Sequence, residues 1–164
     1  MSSSPKLGLT TARQTITAVL SGAAVGFVIV ALFDVSGGFP PVVPWSVPIV
    51  LLLLAVAAFV YARALPKRLD EKRVSSQEAL GALVTAKAMI MTGAILAGGH
   101  VVYVMRYVHL MQAPSPSARV LHGTVTILVS VLVAAVGVML ERACLVPGGP
   151  DDEDDDEGAL PAAS

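Results

Sequence analysis

Few residues in this chain could do chemistry, and most of them stand at the ends of long charge-free runs. Lys87 lies at the edge of one run, Glu141 closes another and Arg63 ends a third. A lysine in mid-bilayer is costly and would point to proton or ion handling. At the edge its stem can reach water, and a Lys87–Glu141 contact shared with Arg63 becomes a structural clasp, which is the expectation. The histidines His100, His109 and His122 fall towards the other side, with Asp34 at a similar level. Imidazole and carboxylate together suit zinc, iron or copper. A haem between His100 and His122, with Gly98 and Gly99 making room, is the other cofactor reading. No two histidines have i, i+3 or i, i+4 spacing, so locally satisfied interfacial histidines are expected, with no metal and no cofactor. The single Cys144 excludes an internal disulfide and any CxxC site. Phosphate-binding, GxSxG and HExxH signatures are missing, so no enzyme is expected. No acid lies inside an apolar run, which counts against a small proton-coupled drug exporter.

The elements that must position these residues are membrane spans. Of 164 residues, 55% are hydrophobic and only 14% charged, with mean hydropathy +0.76. Soluble domains carry about 25% charged residues. A helix crossing the hydrocarbon needs about 20 mostly apolar residues. Four runs qualify: residues 15–33, 45–62, 87–105 and 121–140. Pro44 and Pro48 sit where the second helix begins, a position that tolerates the missing N–H. Ser75-Ser76-Gln77-Glu78 reads as a capped helix start, so one or two turns are expected to protrude before Lys87. The fold class is all-α: four transmembrane helices in an antiparallel bundle over residues 1–147, then a disordered acidic tail over 148–164. A cleaved signal peptide is the rival for the first run. That run exceeds the usual apolar length of about 7–15 residues and no Ala-x-Ala site follows, so a retained anchor is expected.

The net charge of −1 averages two unlike regions. Seven of the twelve acids lie in Asp151–Glu157, leaving eleven Lys/Arg against five acids elsewhere. A basic surface on a very apolar body points to membrane rather than nucleic acid. With both termini in the cytoplasm, the inner side holds Lys6, Arg13, Arg63, Lys67, Arg68, Lys72, Arg73, Lys87 and Arg142, against Arg106 and Arg119 outside. Trp45 and Tyr61 then mark the two interfaces of the second span. Small residues offer close helix packing: Gly22 and Gly26 in the first span, and Ala86, Gly93, Ala97 and His100 on one face of the third. Packing within the bundle is the expected use, with self-association as the alternative.

Three features together carry a family resemblance: Pro44-Trp45, Lys87-Ala88, and the ending Leu140-Glu141-Arg142-Ala143-Cys144-Leu145-Val146-Pro147. The chain is similar, over roughly residues 10–147, to the actinobacterial domain-of-unknown-function 3180 family of small four-span membrane proteins. The resemblance implies a plasma-membrane location and often a gene beside folate-biosynthesis enzymes. It implies no activity, and His100 lies outside the family's pattern. The expected function is a non-enzymatic accessory, scaffold or assembly subunit in contact with the bilayer and other membrane proteins. The alternatives are a small dimeric transporter or channel and, after that, a haem- or metal-binding membrane protein. No small-molecule substrate is indicated.

Overall fold

The computed structural model describes residues 9–38, 40–71, 75–110, 112 and 114–144. The acidic tail, Lys6, Lys72, Arg73 and the Leu145-Val146-Pro147 end of the family motif lie outside the described residues. Four long helices make up the rest: α1 (Ala12–Val35), α2 (Ser46–Asp70), α3 (Ser76–Tyr107) and α4 (Pro114–Ala143). A short 3-10 turn, Val108–Leu110, links the last two. Each helix contains a stretch long and apolar enough to cross a membrane, so the chain is an all-α, multi-pass membrane protein.

Local chemistry sets the helix ends. Thr11 caps α1 in a reciprocal box with Gln14, each side chain taking the other's backbone N–H. The Ser75 hydroxyl accepts from the Glu78 N–H at the start of α3, as the Ser-Ser-Gln-Glu pattern predicts. After α1, Gly37 adopts φ +69°, a left-handed step that glycine makes without steric cost.

The helices outrun their predicted spans at the end that bears Lys87 and Glu141. α3 begins 11 residues before Lys87, about three turns rather than one or two. α2 continues past Ala62 through Pro66 to Asp70. Hydropathy marks where a helix leaves lipid, whereas these helix-favouring residues carry the turns onward into water. Pro66, which is exposed, withholds one N–H from the ladder about a turn before α2 ends. Tyr61 and Arg68 of α2 both engage Glu78 of α3, at 3.0 and 3.1 Å, which ties the extensions together.

Backbones approach closely in the order α1–α3–α4–α2. Along α1 and α3, Gly22 meets Ile95, Gly26 meets Gly99 and Asp34 meets Arg106. The register rises in both, so that pair is parallel. Trp45 packs at a tilt against His122 and Leu65 clusters with Leu140, so α2 and α4 are parallel too. Between α3 and α4 the register runs oppositely, from Tyr103 with Val120 to Ala86 with Gly137. Successive helices therefore alternate in direction, while α1 and α2 occupy opposite ends of the packing order. Three apolar layers fill the interior, centred on Leu65 and Leu140, on Met89 and Val133, and on Tyr103 and Val120.

Candidate functional site

Polar side chains gather at two levels of the bundle. At the level of Lys87, referred to as inner as against the outer level of Arg106, Glu141, with 2% of its side chain exposed, ends the apolar part of α4. One carboxylate oxygen, Oε1, accepts from Lys87 Nζ at 2.9 Å, from the Thr10 backbone N–H at 2.9 Å and from the Thr10 hydroxyl at 2.8 Å. A buried carboxylate needs such donors, because desolvation otherwise drives it neutral. Three segments thus converge on one atom: the segment entering α1, the third helix and the end of the fourth.

Arg63 does not join this clasp. Its guanidinium lies 4.7 Å from the Phe59 ring on its own helix, on the exposed side of α2 beside the buried Ala62. Neighbouring helix residues point about 100° apart, so a buried Ala62 turns Arg63 outward. Thr10 takes the place expected for Arg63. It precedes the first apolar run and carries no charge, so charge counting passed it over. Cys144 follows on the inner side, where burial first and the Glu141 charge second push its thiol up from the ordinary value. It is accordingly a neutral thiol near pH 7 and a poor nucleophile.

Between the two levels runs a seam without side chains. A Cβ at Gly22 would collide with the Ile95 backbone, and one at Gly98 with the Val19 carbonyl. At Gly26 it would stand 2.7 Å from the Gly99 oxygen. Gly93 serves the other neighbour: its Cβ would lie 2.5 Å from the Ser130 carbonyl of α4. Ala97 is buried. The small residues of α3 therefore divide between two partners inside one chain. The room a haem would need beside Gly98 is filled by α1.

At the outer level, Arg106 reaches Asp34 at 3.1 Å, with 40% and 44% of the two side chains exposed. Deeper in, the connection from α1 to α2 is held by its carbonyls. Arg119 donates to the Pro40 carbonyl and lies over the Tyr107 ring. The Tyr103 hydroxyl donates to Pro41 O at 3.4 Å, and His122 Nδ1 to Val43 O at 2.7 Å. Pro40, Pro41 and Pro44 lack N–H groups, so this segment cannot satisfy itself by local turns. A proline-rich loop facing aromatic and basic helix ends was the signal available for Arg119 and Tyr103.

His100 takes a separate partner: its Nδ1 donates to Leu96 O at 2.8 Å on its own helix, while the side chain of His109 lies outside the described residues. The two rings proposed for a haem thus engage different carbonyls, and Gly98 between them is covered by α1. No three His, Cys, Asp or Glu side chains among the described residues are arranged to hold a metal ion.

The two levels fit one bilayer. Arg106 follows Lys87 by 19 residues, which is about 28 Å at 1.5 Å per residue. The hydrocarbon core is about 30 Å thick. Four such helices, closed by polar groups at both ends, define a small polytopic α-helical membrane protein.

Within that class, the chain belongs to the family described as Protein of unknown function (DUF3180), matched over residues 16–148. The resemblance drawn from the Leu-Glu-Arg-x-Cys-x-x-Pro ending holds at the level of family. No curated protein and no solved structure matches the chain.

Proposed function

We propose that this protein acts by association, as a non-enzymatic accessory, scaffold or assembly subunit of the plasma membrane, with both termini cytoplasmic. The observation that carries the reading is the pair of flanking helices. Among the described residues the backbones of α1 and α2 each closely approach that of only one other long helix, and their outward faces are large apolar side chains. Leu20, Phe27 and Leu32 on α1 and Leu53, Val56 and Val60 on α2 are all exposed. Meanwhile Lys87, Glu141, Asp34 and Arg119 have partners inside the chain. The bundle is thus tied together internally and leaves two lipid-level faces for other membrane helices or a second copy. The orientation rests on lysine and arginine, which gather at the Lys87 end.

Photo-crosslinkers at Phe27 and at Leu53, in intact membranes, test the association. Capture of one defined membrane protein from either face supports it. Capture of lipid alone from both faces overturns it, and solute flux in proteoliposomes that vanishes with Lys87→Ala would install a transporter instead. Reporter fusions test the topology: activity at Arg68 and at the carboxyl end must report the same compartment, and a fusion after Gly38 the opposite one.

A further inference from the structure

The glycine seam that joins α1 to α3 leaves a trough on its lipid side. Where Gly22, Gly26 and Gly99 have no side chains, the flanking Val25, Ile29 and His100 become walls around a cavity of about 230 Å³. Val25 and Ile29 are 57% and 48% exposed, so the trough opens to the bilayer rather than to the bundle interior. Its lining is apolar apart from the Tyr103 ring and one imidazole.

That imidazole has a fixed polarity. A carbonyl only accepts, so the 2.8 Å contact from His100 Nδ1 to Leu96 O places the ring hydrogen on Nδ1. In the neutral ring Nε2 is then a bare acceptor, and no hydrogen bond to it is made by any described residue. Arg106 follows His100 by six residues, so the ring sits about 9 Å below the Arg106–Asp34 level. At that depth water is scarce, and an acceptor without a donor is costly. Phospholipids do not remove the cost, since their ester carbonyls also accept.

We infer that the trough binds a membrane-soluble molecule with one hydrocarbon chain and a hydroxyl donor, the hydroxyl donating to His100 Nε2 and the chain lying over Gly22 and Gly26. Long-chain and isoprenoid alcohols have this chemistry, and so does a protonated fatty acid. The inference does not depend on the accessory role; it needs only that the bundle spans the bilayer.

The test uses full-length protein with ¹⁵N-labelled histidine, in nanodiscs of phosphatidylcholine, titrated with 1-dodecanol. The His100 Nε2 resonance, assigned by its loss in His100→Phe, is expected to shift saturably while those of His109 and His122 stay in place. Dodecyl methyl ether keeps the chain and oxygen but has no donor; it should bind about tenfold more weakly, the worth of one hydrogen bond. Dodecanoic acid, titrated at the same near-neutral pH as the alcohol so that the ring keeps its acceptor, separates the two sources, a stronger response assigning the ligand to acids and a weaker one to alcohols. Val25→Trp fills the trough from an exposed position and should abolish the shift with His100 intact. No shift with either donor, an equal shift with the ether, or a shift that survives Val25→Trp would each overturn the assignment.

Discussion

The two flanking helices are attached by different chemistry. α1 meets α3 backbone to backbone, through Gly22, Gly26, Gly98 and Gly99. α2 meets α4 through side chains, with Leu65 and Ala62 against Leu140 and Ala55 against Val133 and Val136. Lipid tails are as apolar as leucine, so neither contact gains from expelling water. What remains is close approach in one case and interlocking volume in the other. A backbone seam is intolerant, because a carbonyl cannot swing aside as a side chain can. A side-chain seam should fail gradually, one methylene at a time.

The largest effect is therefore expected from the smallest residue. Gly22→Leu drives a side chain into the Ile95 backbone and should cost about 3 kcal/mol or more, read as lost unfolding resistance in detergent. Engineered crosslinks between α1 and α3 should fail at the same time. Gly81, also helical, has nothing within 4 Å of its would-be Cβ. Gly81→Ala should stabilise by about 0.5–1 kcal/mol from helix propensity. If both glycine changes had the same sign, the seam would not be what holds α1.

Next comes the inner clasp, which reinforces α1 at its entry and also binds α3 to α4. Glu141→Ala leaves Lys87 and Thr10 without their shared acceptor and should cost about 3 kcal/mol. Lys87→Ala should cost less, since Thr10 still supplies two donors to Oε1. The double variant should lose at least about 0.5 kcal/mol less than the sum of the singles. Strict additivity would deny that Lys87 and Glu141 act as a pair.

The spans and their ends were legible because lipid imposes a severe rule: every backbone polar group must be satisfied within the helix. Charge-free length is then close to sufficient evidence. The Lys87–Glu141 contact was legible for a related reason, as opposite charges at the same depth of neighbouring spans seek one another. Neighbour order was not legible. Alternating direction follows from short loops, yet it leaves open whether α1 sits beside α2, α3 or α4. Gly22 and Gly26 stood out by spacing, whereas the adjacent Gly98 and Gly99 show no such interval and acquire meaning only when α1 is laid against them. Arg63 was misplaced because depth alone says nothing about the side of the helix a residue faces.

The side-chain seam should yield next. Leu65 is fully buried between α2, α3 and α4, so Leu65→Ala opens a cavity and should cost about 2 kcal/mol. Leu65→Met, which keeps volume, should cost under about 1 kcal/mol. That graded series is the counterpart of the glycine result. A Leu65→Ala loss equal to that of Gly22→Leu would erase the distinction between the two attachments.

The smallest effect belongs to the outer ion pair. Arg106 and Asp34 are about as exposed as they are buried, at 40% and 44%, and a pair in contact with water contributes about 0–1 kcal/mol. Arg106→Ala should therefore lower stability only slightly, and the difference should shrink as salt is raised. The inner pair should lose much less to salt, because its carboxylate is 2% exposed. The two measurements bear on the same helix, since α1 is tied near one end by Thr10 and at the other by Asp34. If Arg106→Ala cost as much as Glu141→Ala and resisted salt, α1 would be held by its charged ends. The glycines between would then be following the helix into place rather than fixing where it lies.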